Sequence, residues 1–329
     1  MFEVDIDYTA VIRTLGTAGK KYKALLSSLA SQTISPKAII VYIAEGYSIP
    51  KETIGIEQYV FVKKGMVAQR ALPYNEVETD YILVLDDDLE FPPNTVERMF
   101  QLLKEHDADV ISPDIFPNAK RSWKSELMMT ISGRMRARRY DDVWGYKVMR
   151  NSGYSYNANP YKDIYISQTN AGAVCLCKKK DFIRIKFEEE QWLDKQPYAM
   201  GDDQVMFYKM YLNNLKILTW FKHEIVHLDA GENYNPNKIN RTIYSDFYFK
   251  TIFWHRFIFS PEKKMLTKLW SCICIGYTFF FALLISLVKL DVRILNLKWR
   301  AIIDGVNYTR SKEYNSIPKI NSIYLGKRS

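Results

Sequence analysis

The run Asp86-Asp87-Asp88 stands immediately after the apolar stretch Tyr81–Leu85 (YILVL). Three adjacent carboxylates repel one another unless a cation joins them, so this run suits oxygen ligation of Mg²⁺ or Mn²⁺. If the apolar stretch is a strand, alternation puts Asp86 and Asp88 on one side and Asp87 on the other, and two carboxylates converge on one point. One Asp would suffice to cap the helix expected near Pro93, which leaves the others unexplained. A second acidic pair, Asp202-Asp203, follows Gly201 and opens an apolar helical stretch through Val205, Met206 and Phe207. The helix dipole favours a carboxylate there, and beside a cation-binding run the pair is also suited to supply a general base for an acceptor hydroxyl. His227, in IVHLD, offers a neutral imidazole that could complete an Asp/His metal site, with His223 a nearby competitor.

Such groups need a scaffold that holds them together, and the first half of the chain supplies one by alternating strand and helix. Tyr8–Leu15, Ala38–Ala44, Tyr59–Val62, Tyr81–Leu85 and Asp109–Ser112 are apolar runs of strand length. Lys20–Ser31 and Thr95–His106 carry apolar residues at helical spacing, and a further helical stretch between Val62 and Tyr81 is interrupted by Pro73. The pattern predicts an α/β fold with a mainly parallel sheet, whose carboxyl strand ends are where ligands bind. Residues 118–168 break the rhythm with Trp123, Tyr140, Trp144, Tyr146, Tyr154, Tyr156, Tyr161 and Tyr165, and read as long loops and short elements. Together with Trp192 these rings could stack on sugar faces or fill a minor core. Order resumes with a strand over Ala171–Cys177, a helix from about Asp203 to Asn213, and a strand over Lys216–Trp220.

With 47% hydrophobic and 25% charged residues, the chain can form a real core and is not disordered. Its net charge of +9 is uneven, since Lys289–Ser329 carries +6 of it. That excludes a nucleic-acid surface over the whole body and favours a basic tail near anionic lipid. The cysteines form two C-x-C pairs, Cys175/Cys177 and Cys272/Cys274, without a zinc-knuckle spacing, and read as buried free thiols in a reducing compartment. Met1–Asp7 is acidic and lacks the apolar core of a signal peptide. Leu269–Val288 is apolar and free of charge, long enough to span a bilayer. Lysines and arginines flank it on both sides, so an in-plane helix fits as well as a span, and Leu290–Ile303 alternates apolar and basic residues as an interfacial helix would. The expected organisation is a catalytic domain over residues 1–250 and a helical, basic, membrane-associated region over 251–329.

On these motifs the chain resembles the family-2-type inverting glycosyltransferases of the GT-A fold, over most of residues 8–230. The opening VIRTLGTAGKKYKALLSSLASQTISPKAIIVY is similar to that family's first strand, helix and second strand, with Leu25, Leu29 and Gln32-Thr33 in its motif positions. The resemblance implies nucleotide and donor contacts at Thr14, Arg70, Asp86 and Asp87, metal ligation by Asp88, Asp86 and His227, and a donor-sugar position at Gly172. It makes Asp203 the base, with Asp202 toward the acceptor; Trp192 is a candidate for the acceptor side by residue type alone. The family's Asp-Asp-Gly-Ser-like element is here Ala44-Glu45-Gly46-Tyr47, so Glu45 is the candidate to contact the nucleotide. The Gln/Arg-x-x-Arg-Trp motif of processive synthases is absent, which implies addition of one or few sugars.

The expected partners are a UDP-, GDP- or dTDP-linked sugar and a saccharide or lipid-linked saccharide acceptor, with Mn²⁺ or Mg²⁺ as cofactor, at the cytoplasmic face of a membrane. Two alternatives stand beside this one. A nucleotidyltransferase acting on sugar phosphates would use Thr14–Lys20 as a phosphate loop; a non-catalytic membrane-associated scaffold would keep the fold alone.

Overall fold

The computed structural model describes residues 7–116, 121–136, 144–157, 161–172, 174–228 and 236–320. Met1–Ile6, Tyr140, Lys327 and Arg328, which entered the sequence expectations, lie outside them. Two compact units form, each from three stretches of chain. The first takes Met1–Asn118, Pro160–Glu188 and Met206–Glu232; the second takes Ala119–Asn159, Glu189–Val205 and Asn233–Ser329.

The first unit begins with β1 (Tyr8–Thr14), α1 (Lys20–Ala30), β2 (Ala38–Ala44), β3 (Glu57–Val62), β4 (Tyr81–Asp86), β5 (Leu89–Glu90), α2 (Thr95–Glu105) and β6 (Val110–Pro113). In chain order α3 (Trp123–Ile131), β7 (Tyr146–Val148) and β8 (Ser155–Asn157) follow, in the second unit. The first unit then gains β9 (Ile164–Ser167), β10 (Cys175–Lys178), α4 (Lys179–Arg184), and, after α5 (Asp202–Leu212), β11 (Ile217–Trp220) and β12 (Val226–His227).

Its main sheet has eight strands in the order β3-β2-β1-β4-β10-β6-β11-β9. β3, β2, β1 and β4 run parallel, as do β6 and β11; β10 lies antiparallel between β4 and β6, and β9 antiparallel at the edge. Strands buried on both faces must be apolar along their whole length, which is why YTAVI, AIIVYIA and YILVL lack alternation. Leu25, Leu26 and Leu29 of α1 and Val96, Met99 and Leu102 of α2 pack into one core with Ile12, Ile43 and Leu85. The parallel register sets Arg13 beside Asp86, so the carboxyl ends of β1 and β4 finish level.

Residues between β3 and β4 differ from the sequence expectation: they form turns, not a helix. Only eight positions separate Gly65 from Pro73, too few for a helix to be stable by itself. Side chains fix the segment instead, with Gln69 Nε2 donating to the carbonyls of Thr14 (3.0 Å) and Tyr42 (3.3 Å).

In the second unit, α6 (Pro236–Trp254), α7 (Met265–Val288), α8 (Val292–Thr309) and α9 (Lys312–Ser316) form a helical body. Phe247, Ile275, Phe279, Ala301 and Ile302 make its core. α8 crosses α6 at Gly305, where a Cβ would lie 2.8 Å from Cβ of Thr251, so only glycine permits the approach. Arg256 and Glu190, both buried, form a two-pronged ion pair at 2.6 and 2.7 Å. α7 starts four residues before the apolar run and is, among the described residues, the one helix long and apolar enough to cross a membrane. Cys175 and Cys177 are buried free thiols as expected, whereas Cys272 is exposed on α7.

Candidate active site

Every group of the first acidic run sits at the carboxyl end of β4, and each meets a different partner. Asp86 is the last residue of β4. Arg13 Nε donates to its Oδ1 and Arg13 Nη2 to its Oδ2 at 3.0 Å, while Arg70 Nη2 reaches Oδ1 at 3.3 Å. Arg70 is buried at 1% exposure. Burial alone would raise the Asp86 pKa, but Arg13 and Arg70 outweigh it and hold the carboxyl at about 2. Asp86 therefore stays ionised and is gripped by two cations. Asp87 instead accepts a hydrogen bond from the Thr14 hydroxyl, whose oxygen in turn accepts from the Gly16 N–H at 2.8 Å. Burial pushes the Asp87 carboxyl up to about 6; the Thr14 hydroxyl opposes the rise, and the charges of Asp86 and Asp88 add to it.

Asp88 has a different partner. Its Oδ2 lies 3.2 Å from His227 Nε2. Its Oδ1 is buried and has no hydrogen-bond partner. The pairing is built by a two-residue ladder. β12 runs antiparallel to β5, with His227 opposite Leu89, and the Leu228 N–H donates to the Asp88 carbonyl at 2.8 Å. The Phe116 ring packs beside the His227 ring, with centroids 5.2 Å apart. His223 is engaged elsewhere: Nδ1 accepts from the Ile225 N–H (3.1 Å), which leaves Nε2 to donate to the Asp114 carbonyl (2.8 Å). Both of its ring nitrogens are thus committed to backbone, and burial lowers its pKa, keeping the ring neutral.

Gly172 has φ +100°, and a Cβ there would meet Ile115 Cγ1 at 2.5 Å, so any other residue would be strained and would displace the Ile115 side chain. Glu45 is exposed directly after β2, and its N–H donates to the Val62 carbonyl at 2.7 Å. Gly16, in the loop after β1, has its Cβ position filled by the Ser48 carbonyl oxygen at 2.1 Å, so that loop is tied down before α1 begins.

In the second unit, α5 opens at Asp202, with Asp203 next in its first turn. Gly201 precedes them at φ +80°, its Cβ position filled by the Phe249 ring at 2.3 Å. Those two constraints make residue 201 a glycine and fix where the helix starts, and so where the acidic pair is presented. Trp192 is 2% exposed; its Nε1 donates to Glu190 Oε2 at 2.8 Å, and its ring stacks on Phe249 with an interplanar angle of 12°. A ring held this way supports the wall behind Gly201 and shows no open face to solvent.

The first unit thus brings together Thr14, Arg70, Asp86, Asp87, Asp88 and His227, and the second holds Asp202, Asp203 and Trp192. Arg13 is the residue that sequence reasoning passed over. Its signal was a single charge inside the otherwise apolar strand YTAVIRT. Among the described residues no set of three His, Cys, Asp or Glu side chains is gathered as a metal cluster, and Asp88 with His227 is a pair.

Residues 35–159 match the family described as Glycosyl transferase family 2. The matched stretch holds Glu45, Arg70 and Asp86–Asp88 and ends before Gly172, Asp202, Asp203 and His227. The mostly parallel sheet bears out the expected α/β architecture, and the matched stretch, less than half of the chain, is the part that is similar to that family. No curated protein matches the chain. Among solved structures the chain is similar to GalNAc-T7, crystallised with UDP, GalNAc and Mn²⁺. The identity is 11% and the TM-score 0.45, over 82% of this chain and 55% of that one.

Proposed function

We propose that this chain, a glycosyltransferase by its family-2 segment, transfers a sugar from a UDP-, GDP- or dTDP-linked donor to a hydroxyl of a saccharide or lipid-linked saccharide. Transfer inverts the anomeric centre, adds one or few sugars, and serves surface glycan assembly on the cytoplasmic face of a membrane. The observation that carries this reading is Asp88, a buried carboxylate at a strand end with His227 on one oxygen and no hydrogen-bond partner on the other.

That orphaned oxygen fits a divalent cation. Mg²⁺ is held by one or two carboxylates, with substrate phosphates and water completing its shell, so a pair of protein ligands is enough. Asp88 and His227 would hold Mn²⁺ or Mg²⁺, and the ion, when bound, would supply positive charge to a diphosphate leaving group. Asp86, with both oxygens taken by arginines, is better placed to fix Arg13 and Arg70 than to ligate a metal. Those two guanidiniums concentrate positive charge at the strand ends, where a nucleoside diphosphate would lie. Thr14 and Asp87 form a hydroxyl–carboxyl pair suited to a ribose, Glu45 an exposed carboxylate suited to the nucleoside, and Gly172 a bare backbone position for the donor sugar.

Asp203 takes the proton of the acceptor hydroxyl as that oxygen attacks the anomeric carbon. The carbon–oxygen bond to the donor phosphate breaks in the same displacement, so the configuration inverts. Asp202 and the wall supported by Trp192 belong to the acceptor side.

The test is product analysis of the purified chain incubated with sugar nucleotides, using slow transfer to water where no acceptor is supplied. Nucleoside diphosphate and a sugar released with inverted anomeric configuration, followed by proton NMR, are expected. Sugar 1-phosphate and nucleoside monophosphate would instead favour nucleotidyl-transfer chemistry.

A further inference from the structure

The second unit carries a helix whose polarity is inside out. On α7 the buried positions are Ser271, Ile275, Thr278, Phe279 and Ser286, three of the five bearing hydroxyls. Those hydroxyls are satisfied within the protein: Ser271 donates to the Lys268 carbonyl (3.1 Å), Thr278 to that of Cys274 (3.0 Å), and Ser286 accepts from Lys298 Nζ of α8 (2.8 Å). The exposed positions include Leu266, Leu269, Trp270, Ile273, Phe280 and Leu287. At about 100° per residue these two sets fall on opposite sides of the helix. A helix that serves water does the reverse.

Neighbouring elements of the same unit extend the apolar face. α8 exposes Val292, Trp299 and Ile303, at spacings of seven and four. α3 exposes Trp123, Leu127 and Ile131, each four apart, and the Ile131 carbonyl accepts the Tyr277 hydroxyl of α7 at 2.5 Å. Around this face stand the exposed cations Lys263, Lys264, Lys289, Arg293 and Arg300. A wide apolar face with aromatic residues and a rim in which exposed cations predominate, Arg300 being paired with Asp304, matches the interface of an anionic bilayer, where tails meet phosphate headgroups.

The same contacts exclude a simple crossing. α7 is attached along its inner side: Phe279 packs on Phe247 of α6 (ring centroids 5.8 Å), and Lys298 donates to the Ala282 carbonyl at 3.0 Å. A crossing α7 would carry these charged neighbours, including Lys250, Lys298 and Asp304, into hydrocarbon, where charges are costly. We infer that α7, α8 and α3 form a single face that lies in the plane of an anionic lipid bilayer, sunk to the depth of one helix, with both ends of α7 on the same side. This inference does not depend on the catalytic reading, and nucleotide binding measured on the same preparations keeps the two separate.

The test uses the full chain with vesicles of phosphatidylglycerol and phosphatidylcholine at 3:7, and of phosphatidylcholine alone. Flotation of the wild type with the anionic vesicles is expected, weakened at least tenfold in high salt or on the neutral ones. Leu269→Glu combined with Ile273→Glu should also lower it at least tenfold; both side chains are exposed, so the thermal midpoint should stay unchanged. Lys264→Cys and Lys289→Cys, each in a parent carrying Cys272→Ser and Cys274→Ser, report topology through a membrane-impermeant maleimide. Equal labelling of both in intact vesicles is expected. Protection of either until detergent is added would overturn the in-plane seat in favour of a span. A wild type that ignores vesicles and instead self-associates through this face would overturn the lipid assignment.

Discussion

Asp88 and His227 are 139 positions apart in the chain, yet their side chains meet at 3.2 Å because two-residue strands clip their backbones together. The ladder does more than approximate them: the Leu228 N–H fixes the Asp88 carbonyl, so the carboxylate and the imidazole share one rigid mount. The proposed cation site would depend on that mount.

The two histidines near this mount should therefore behave oppositely. His227→Ala should weaken Mn²⁺-dependent nucleotide binding about 10–100-fold, the cost typical of removing a ligand or its support, with little change in thermal midpoint. His223→Ala removes a ring that bridges two backbone groups, and should cost about 1–3 kcal/mol of stability while leaving metal affinity close to wild type. Parallel calorimetry and thermal unfolding of both variants decide it. Loss of metal affinity in His223→Ala alone would exchange their roles.

Asp86 and Asp87 predict a specific pH profile for the metal-free protein. Asp87, raised to about 6 when folded against about 4 when unfolded, adds stability that is complete below pH 4 and lost as pH rises through 6. Asp86, held at about 2, adds stability present above pH 4 and lost as pH falls through 2. In EDTA the thermal midpoint contribution of Asp87 should rise on going from pH 7 to pH 5, and Asp87→Asn should remove it. An identical slope in wild type and Asp87→Asn would assign it to other groups.

Much of the first unit could be read directly from sequence. YILVL followed by three Asp is a contiguous signal, and a strand buried on both faces announces itself by unbroken apolar content. β5 and β12 could not be found that way, because strands of two residues have no period, and so the Asp88–His227 contact was legible only as two separate residues. β9 was hidden inside an aromatic-rich stretch read as long loops and short elements; at the sheet edge it has a single neighbour, β11, and keeps Ile166 exposed. The segment around Gln69 was read as helix because local pattern cannot show a side chain bonding to the ends of two strands. Trp192 was read toward the acceptor on residue type alone, whereas its burial depends on Glu190 and Phe249, which only the tertiary structure brings together.

Gly172 should resist substitution. Gly172→Ala meets both a positive φ and the Ile115 side chain, and should cost about 1–3 kcal/mol. Gly172→Ala with Ile115→Ala relieves the contact and leaves the backbone strain. If the single variant unfolds at the wild-type temperature, the backbone there is not as tight as described.

The buried Arg256–Glu190 pair offers a stability test confined to the second unit. Glu190→Gln leaves the guanidinium facing a neutral partner and should cost about 3–5 kcal/mol, as breaking a buried pair does, and it also weakens the acceptor for Trp192 Nε1. Chemical denaturation of the variant reads the cost directly. A change below 1 kcal/mol would mean that the pair is solvated in solution.

Calorimetric titration of nucleoside diphosphates and UDP-, GDP- and dTDP-sugars, in Mn²⁺ and then in EDTA, bears most directly on the site. Wild type, Asp88→Ala and Asp203→Asn are compared. The expected result is cation-dependent binding of one nucleotide class that Asp88→Ala abolishes and Asp203→Asn keeps, with sugar transfer lost in both. Absence of nucleotide binding by the wild type under every condition would contradict the enzyme assignment and leave a fold without catalysis.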